Sequence, residues 1–549
     1  MINKKILFAA WASKNKNWYT YQAFDKPLRK IFRQVVSFDP QEEVYNFGKE
    51  HMNQKFIEVI KRERPDYIFL WIMHDEFYME TLIQAKKLLP KSIIFCYNGD
   101  DDYKFENHTI HFFPLIDYFM TTQPDYLEKY KKYGKESFFS CGADTKEFKS
   151  LNLTKKFDVS FVGTPKSDRV DFIRELSKNK INFAVGGANW EKYPEFKEQY
   201  IGWINNDQFI KLINESKINI CLSKNYIGGT HILERFFQIN ACKSFCLAEY
   251  ARGYFPLFKE GKDISTFKNK EEMIEKIKYY LKHEKERESL AKLAYEKTIK
   301  SFDIQNLLKD AITYMERNYK EKKIALEPLN KKIIYLSNRD LAKGKEQVKT
   351  LIEDYDYVCF KDKRYEPLAY KDYFQMHSLE LTKKDISCVD IYYNSLLIGD
   401  YASIQLNYAF DLKDKHYFYN NLNISQLMVR KSYFLDNFHN FLEISKNKPA
   451  KFINRKNTVF ISIPFLRTRK RITQIPFGNI EHIFFAYLEG ELLKLKNQNK
   501  LFRNPYIYKL LFYSIFVNPS IGKYIFLNTI KRSKNKKLIK ISELFNRLF

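Results

Sequence analysis

The sequence predicts two successive α/β domains with parallel sheets, followed by a smaller α/β or α+β domain and a basic helical tail. Three observations support this prediction. Strand-like and helix-like segments alternate over the first 320 residues, several strand-like segments are continuous apolar runs, and beyond residue 424 the chain becomes irregular and increasingly basic. Continuous apolar runs are typical of strands buried on both faces, and strands that alternate with helices form parallel sheets with right-handed crossovers. We place the domains at residues 1–145, 146–320 and 331–450, with the tail at 451–549.

The first domain is identified best by two apolar runs, Tyr67–Met73 and Ser92–Tyr97. A helical pattern over Tyr45–Arg64 ends at Pro65, because proline cannot continue a helix. In order, we predict the strand Lys5–Ala10, the helix Tyr45–Arg64, the strand Tyr67–Met73, the helix Thr81–Leu89, the strands Ser92–Tyr97 and Ile116–Thr121, the helix Asp125–Tyr133 and the strand Ser137–Ser140.

The second domain repeats the alternation, and a long amphipathic stretch over Glu284–Tyr319 closes it. Here the predicted strands are Phe157–Gly163, Ile181–Gly186, Ile218–Ser223 and Ser244–Leu247, and the predicted helices are 168–179, Asn206–Glu215, Ile232–Ala241 and Lys270–His283. For the third domain we predict the strands Lys332–Ser337 and Tyr357–Phe360 and the helices Lys345–Glu353 and Tyr370–Leu379.

Length and composition exclude several classes of protein. The chain has 549 residues with 45% hydrophobic residues, which is incompatible with wholesale disorder, and its 17 glycines and 16 prolines are too few for a collagen-like chain. Its 7 cysteines include no CxxC pair, so the sequence supports neither a zinc site nor a disulfide framework, and it predicts a reducing, cytoplasmic location. We interpret the apolar segment near Met1 as a first strand rather than a signal peptide.

The net charge of +27 is concentrated at the end of the chain, where residues 451–549 hold 20 basic and 4 acidic side chains. Two dense cationic runs, Arg467–Arg471 and Lys531–Lys537, flank the apolar stretches Ile483–Tyr487 and Leu510–Val517. Basic residues beside apolar ones suit an interfacial helix on an anionic membrane surface, which predicts a location at the inner face of the membrane. The alternative is a soluble tail with solvated lysines. Because no groove-reading or RNP-type motif is present, we expect no nucleic-acid partner.

Candidate catalytic residues follow the buried strands of the first domain. In parallel sheets ligands bind outside the carboxyl ends of the strands. His74 and Asp75 follow the first apolar run, and Asp100, Asp101 and Asp102 follow the second. A carboxylate there would take a proton from a substrate hydroxyl or hydrogen-bond a sugar. The alternative for such a run of aspartates is a solvated loop or a helix cap.

In the second domain, the segment Gly163–Arg169 predicts a turn into a helix N-terminus, with Lys166 and Arg169 nearby. Free backbone N–H groups, the helix dipole and two cations suit a diphosphate. Gly228–Gly229 predicts a similar second anion site. The alternative in both cases is an ordinary strand–helix turn or a flexible loop.

Several motifs resemble those of GT-B glycosyltransferases, most closely the CgeB-like group within the "glycosyl transferases group 1" set. The resemblance spans residues 1–320 in order. It is carried by His231-Ile-Leu-Glu-Arg-Phe-Phe-Gln-Ile-Asn-Ala-Cys242, Phe245–Glu249, Leu257–Asp263, Ile277–Leu281 with Glu286-Arg287, Tyr97–Asp101, Ser140–Asp144 and Phe157–Arg169. The resemblance implies two Rossmann-like domains, a nucleotide-sugar donor as substrate, no cofactor and no metal. It also implies that the first domain binds the acceptor and the second binds the donor.

Carried over to this sequence, the resemblance implies catalytic roles for Asp101, Asp102, His74 or Asp75 in activating the acceptor hydroxyl. The carboxylate that the family places at the donor ribose falls on Gln238, and this departure leaves Glu234 or Glu249 to compensate, unless donor choice has shifted or activity is lost. The implied donor-binding residues are Gly163, Lys166, Arg169, Lys224, Arg235, Glu234, Gln238 and Glu249.

Residues 331–440 resemble part of a family-2-type GT-A glycosyltransferase in Ser337–Lys345, Tyr355–Lys363 and Asn423–Arg430. At the position of that family's metal-binding D-x-D stands Lys361-Asp362-Lys363, so one carboxylate is replaced by a cation. The resemblance therefore implies a degenerate domain that does not hold a metal in the usual way. The alternative is an unrelated α/β fold.

Together these observations predict a glycosyltransferase of the hexosyl or related class that moves a sugar from a nucleotide-sugar to a glycan, lipid-linked or protein acceptor, without a metal, in cell-surface glycan biosynthesis. The alternative is a non-catalytic glycan- or polyanion-binding protein on an inactive glycosyltransferase scaffold, which Gln238 and Lys361 suggest.

Overall fold

The computed structural model describes residues 1–468 except 14, 15, 17, 48, 74, 166–168, 224–230, 322–330, 364, 396–398, 403–423, 447–452 and 454–456. The described residues form three sheets, of which the first two are parallel throughout and the third is mixed. The predicted α/β class, with two Rossmann-like units, is therefore confirmed.

The first sheet has six strands in the order β2-β1-β3-β4-β5-β6. Its strands are β1 (Ile2–Ala9), β2 (Phe32–Phe38), β3 (Tyr67–Leu70), β4 (Ile93–Asn98), β5 (Tyr118–Thr121) and β6 (Ser137–Phe139). The central strands β3 and β4 are buried at every position, as their apolar runs predict. The strand β2 is not predicted from the sequence, because the interior positions of this edge strand are exposed or half-buried and it contains no continuous apolar run.

Six described α-helices accompany this sheet, and the predicted helix Tyr45–Arg64 falls on the end of the second and on the third of them. These helices are α1 (Lys26–Ile31), α2 (Pro40–Phe47), α3 (Lys49–Glu63), α4 (Met79–Leu88), α5 (Asp101–Lys104) and α6 (Pro124–Lys132).

The second sheet has five strands in the order β11-β10-β9-β7-β8. Its strands are β7 (Phe157–Val162), β8 (Phe183–Gly186), β9 (Ser216–Cys221), β10 (Cys246–Glu249) and β11 (Ser265–Phe267). The helices are α7 (Arg169–Lys178), α8 (Asn206–Glu215), α9 (Glu234–Ala241), α10 (Lys270–Lys282), α11 (Glu284–Ser301) and α12 (Ile304–Asn318). The predicted helix over Glu284–Tyr319 is divided into α11 and α12 by Asp303, whose side chain accepts the N–H groups of Gln305 and Asn306 and so begins a new helix.

The chain crosses between the first two sheets at one place, where Gly142 and Ala143 pass beside Phe302. The Ala143 N–H donates to the Phe302 carbonyl at 3.0 Å, and the Ile304 N–H donates to the Ala143 carbonyl at 3.0 Å. A Cβ on Gly142 would lie 2.3 Å from the Phe302 carbonyl oxygen, so this crossing needs glycine. After the crossing, α12 packs its apolar face onto the first sheet beside Ile6.

The third sheet has seven described strands. Six of them lie in the order β12-β13-β17-β15-β18-β14, and the seventh, β16, pairs with β15. Its strands are β12 (Ile333–Leu336), β13 (Tyr357–Phe360), β14 (Tyr365–Pro367), β15 (Ile386–Ser395), β16 (Gly399–Ala402), β17 (Leu427–Arg430) and β18 (Thr458–Thr468). Its helices are α13 (Asn338–Leu341), α14 (Lys345–Leu351), α15 (Lys371–Thr382), α16 (Lys431–Asp436) and α17 (Phe438–Ser445).

This third sheet extends past the predicted boundary at residue 450. The strand β18 pairs in parallel with β15 and carries Arg467, so the first cationic run begins inside a strand, not in a helical tail. The rest of the predicted tail, residues 469–549, lies outside the described residues. Among the described helices, none is long and apolar enough to cross a membrane.

The third sheet packs against the first. Phe374 of α15 and Val389 of β15 belong to the same buried apolar cluster as residues of α3 and α4. The Nδ1 atom of buried His111 lies 2.8 Å from the hydroxyl of Ser378 in α15. The first and third sheets therefore share a core.

Candidate active site between the first two sheets

The carboxyl edges of the first two sheets are joined by side-chain contacts across a cleft. The Tyr19 hydroxyl, in the segment after β1, donates to Oε1 of Glu234 at 2.5 Å. The Gln123 Nε2 atom, after β5, lies 3.5 Å from Nδ1 of His231, just before α9. Because ligands bind outside the carboxyl ends of parallel strands, this cleft is the candidate active site.

On the second sheet, two guanidinium groups converge on the backbone after β7. The Arg235 Nη1 atom lies close to Gly163, at 3.5 Å from the position that a Cβ atom would take on that glycine. Arg169 Nη1 donates a hydrogen bond to the Thr164 carbonyl at 3.4 Å. Desolvation and, secondarily, the charge of Arg169 lower the pKa of Arg235. Within the described part of the chain, Arg235 forms no hydrogen bond and no ion pair. This arrangement favours the binding of an anion, which would relieve the repulsion between the two cations.

Glu234 lies at the start of α9, beside Arg235 and facing Tyr19. Desolvation raises the pKa of Glu234 to about 8, against the opposing effects of the Tyr19 hydrogen bond and the Arg235 charge. The carboxyl is therefore largely protonated at pH 7, and the neighbouring guanidinium keeps its charge available for a ligand.

On the first sheet, Asp102 accepts a hydrogen bond from Gln123 Nε2 at 3.2 Å. The charges of Asp100 and Asp102 both act on His231, although desolvation has the larger effect and lowers the pKa of that histidine. The structure thus brings Asp100, Asp102, Gln123 and His231 together at the cleft, where a carboxylate can meet a substrate hydroxyl.

Asp101, the middle aspartate of the run, points into the protein and is fully buried. It accepts hydrogen bonds from Asn98 Nδ2 at 2.7 Å and from the Tyr130 hydroxyl at 2.9 Å. This placement fits a structural role better than the predicted catalytic one, because an acceptor in the cleft does not reach a side chain without exposed surface.

We expect the pH dependence of stability to show this burial of Asp101. Desolvation raises its pKa from 3.8 to about 7, so its contribution to stability is present below pH 4 and is lost as the pH rises through 7. The variant Asp101→Asn has no titrating group at this position. The free energy of unfolding of the variant minus that of the natural chain should therefore increase by on the order of 2 kcal/mol from pH 4 to pH 7. Urea unfolding at the two pH values measures this change. The exposed Asp310→Asn is the control, and equal behaviour of the two variants would contradict the assignment.

The other predicted catalytic residues differ in placement. Asp75 is paired with Lys49, whose Nζ lies 2.6 Å from Oδ2 of the aspartate, beside α3. His74 lies outside the described residues, as do the predicted donor-site residues Lys166 and Lys224 and the turn Gly228–Gly229.

Two further predicted donor residues lie on α9 and β10. Glu249, buried at the end of β10, accepts the N–H of Ser223, the residue directly before Lys224 in the sequence, at 3.0 Å. Gln238 lies one turn after Glu234, is half-buried, and its side-chain amide makes no hydrogen bond with a described residue. Among the described residues, no three His, Cys, Asp or Glu side chains form a group that could hold a metal ion.

Tyr19 and Gln123 are not predicted as site residues from the sequence, and His231 is named there only as the first residue of a motif. Tyr19 belongs to no motif, because its role depends on reaching another domain. Gln123 follows β5, so inspection of every strand end would have found it.

The chain is similar to several known proteins. Residues 169–313 match the family model described as glycosyl transferase-like. The spore protein CgeB of Bacillus subtilis (strain 168) is 22% identical over 322 residues, which cover 55% of this chain and 91% of CgeB. Among solved structures, Anabaena HepE in complex with UDP-glucose aligns over 57% of this chain and 100% of its own, with 12% identity and a TM-score of 0.42. Sucrose-phosphate synthase from Thermosynechococcus elongatus aligns over 57% of this chain and 99% of its own, with 10% identity and a TM-score of 0.44.

The chain is therefore similar to glycosyl transferase-like proteins over residues 169–313, and it has two Rossmann-like α/β units. Within that class, the similarity to CgeB confirms the resemblance to the CgeB-like group that the motifs of residues 1–320 indicate. The resemblance of residues 331–440 to a degenerate GT-A segment stays a prediction.

Proposed function

We propose that this protein transfers a sugar from a nucleotide-sugar donor to an acceptor hydroxyl in the cleft between its first two sheets. The single observation that carries the proposal is the convergence of Arg169 and Arg235 on the Gly163–Thr164 backbone, with Arg235 making no ion pair among the described residues. Guanidinium groups at strand ends suit a diphosphate, because their planar fork binds two phosphate oxygens.

The proposed reaction breaks the bond between the anomeric carbon and the diphosphate oxygen, and forms a bond from that carbon to the acceptor oxygen. Negative charge builds on the leaving diphosphate while the sugar becomes oxocarbenium-like. Arg169 and Arg235 stabilise the leaving group. Asp102, held by Gln123 on the opposite side of the cleft, accepts the proton of the acceptor hydroxyl. We propose that this transfer needs no metal and no cofactor.

A screen for hydrolysis of UDP-, GDP-, CMP- and TDP-sugars by the full-length chain tests the proposal. Release of the nucleotide from one donor, faster when an acceptor is added, is the expected result. Nucleotide binding without turnover would favour the alternative of a glycan-binding protein on an inactive scaffold, and no binding of any nucleotide would overturn the donor site itself.

We expect the affinity for the nucleoside diphosphate identified by the screen to fall as the pH rises through 8. Above its pKa of about 8, ionised Glu234 competes with the diphosphate for Arg235 and repels it. The dissociation constant should therefore increase by up to about tenfold per pH unit between pH 8 and 9. Burial raises the pKa of Tyr97 well above 10, which removes it from this range, whereas the hydrogen bond with Cys246 lowers the pKa of Cys221, which also interacts with Arg235. The variant Glu234→Gln therefore identifies which group controls the affinity.

The variant Glu234→Gln should bind with nearly the same affinity from pH 7 to 9, as measured by titration calorimetry. A dissociation constant of the natural chain that does not change over this range would exclude Glu234 as the controlling group.

A further inference from the structure

Five aromatic side chains lie together at the carboxyl edge of the first sheet. Trp11 follows β1, Trp71 follows β3, and Tyr97 lies near the end of β4, while Trp18 and Tyr19 come from the segment that precedes α1. We call these five residues the aromatic shelf. Its Tyr19 hydroxyl reaches Glu234 of the second sheet, so the shelf borders the cleft.

The rings of the aromatic shelf pack in two groups, one of Trp11 and Trp18 and the other of Tyr19, Trp71 and Tyr97. Trp11 and Trp18 are packed edge to face with centroids 5.0 Å apart and planes at 73°. Tyr19 and Trp71 are 5.5 Å apart at 78°, and Trp71 and Tyr97 are 4.7 Å apart at 79°. Because edge-to-face pairs are the favoured geometry of aromatic side chains, these contacts stabilise the positions of the rings.

Two rings of the shelf nevertheless keep much of their surface open, with Trp18 40% and Tyr19 41% exposed. Large aromatic side chains are highly buried on average, so two adjacent exposed rings at a cleft indicate a binding surface. Phe24 packs behind Trp71 and Tyr97 and is itself fully buried, which closes the shelf from below.

Acidic groups flank the aromatic shelf on two sides. Glu234 accepts the hydrogen bond from Tyr19, and the Asp100 charge contributes to the raised pKa of Tyr97 after the larger effect of desolvation. The side chain of Asp100 is 31% exposed. Carboxyl groups exchange hydrogen bonds with the hydroxyl groups of a sugar, whereas an alkyl chain offers them none, and the charge of Asp100 disfavours an anion.

We infer that the aromatic shelf is the acceptor subsite and that it takes an uncharged pyranose ring, the end of a neutral glycan. The inference rests on the proposed function, because it is Arg235, directly after Glu234, that places the donor diphosphate next to the shelf. The C–H face of a pyranose carries partial positive charge and stacks on the negative face of an aromatic ring. The hydroxyls at its rim then meet Asp100 and Glu234.

Saturation-transfer-difference NMR on the full chain tests this inference without requiring catalysis. The probes are lactose, cellobiose and N,N′-diacetylchitobiose as neutral sugars, and 3′-sialyllactose as the anionic counterpart of lactose. We expect a neutral disaccharide to bind, sialyllactose to bind at least tenfold more weakly, and Trp18→Leu to weaken the neutral sugar about tenfold. Trp203→Leu is the matched control, since Trp203 is 56% exposed and lies in the second domain. It should bind like the natural chain.

Three results would overturn the inference: no neutral disaccharide binds, sialyllactose binds as well as lactose does, or Trp18→Leu and Trp203→Leu bind alike. Binding of octyl glucoside without binding of methyl glucoside would identify an apolar chain as the occupant, and this result would also overturn the inference. Each of these results leaves the donor screen unaffected, so failure of the shelf is distinguishable from failure of the proposed function.

Discussion

Arg235→Ala should lower kcat/KM for sugar transfer by about 10²–10³-fold, because it removes a preorganised donor to the charge that develops on the leaving diphosphate. Arg235 already lies beside Gly163 and makes no ion pair with a described residue, so its guanidinium needs little rearrangement to meet the ligand. Arg235→Lys should recover only part of the loss, since an ammonium keeps the charge but lacks the planar fork that binds two phosphate oxygens. Initial rates with the donor found by the screen measure both variants.

The matched control is Arg174→Ala in α7 of the same domain. Arg174 is 44% exposed and is paired with Asp171 and Glu195 on the surface. We expect its kcat/KM to stay within about twofold of the natural chain. If Arg235→Ala is as active as this control, the diphosphate lies elsewhere.

Gly187→Ala should lower the free energy of unfolding by about 4 kcal/mol and weaken nucleotide binding at the same time. Gly187 has a φ of +125°, and a Cβ there would lie 2.5 Å from the carbonyl oxygen of Gly163. That same carbonyl accepts a hydrogen bond from Trp190 Nε1 at 2.5 Å, so it has no room to move. The clash must therefore displace the backbone on which Arg169 and Arg235 converge.

Gly202→Ala separates the clash from the backbone strain. Gly202 also has a positive φ of +86°, but a Cβ there meets nothing within 4 Å. We expect a loss of only about 1 kcal/mol and unchanged nucleotide affinity. Urea unfolding followed by far-ultraviolet circular dichroism measures both variants, and equal losses would show that the approach of Gly187 to Gly163 does not matter.

The sequence predicts β3 and β4 from their apolar runs, and it misses the edge strand β2 and the short buried strand β11, which lack such a run. The runs at β3 and β4 are apolar throughout, so their strands are identified directly. The edge strand β2 is half exposed and escapes the same pattern. The division between α11 and α12 depends on one capping side chain, Asp303, inside an otherwise continuous amphipathic pattern.

The same distinction holds at the candidate site. Gly163, Arg169 and Arg235 are predicted from strand ends and motifs, and the structure brings them together. Asp101 and Asp102 are neighbours in sequence, yet only Asp102 lies at the cleft, because successive residues at the start of α5 point in different directions. The Tyr19–Glu234 contact joins residues 215 positions apart, and no local pattern specifies such a pair.

The crossing at Ala143 and Phe302 bears on how the first two sheets can move. Since both connections between these sheets pass there, we expect any rotation of one sheet relative to the other to pivot near that point and to change the Tyr19–Glu234 contact. The third sheet shares its core with the first, through Phe374 and Val389, so it should move together with the first sheet. The described part of the third sheet would then keep a constant distance from the proposed acceptor side of the cleft.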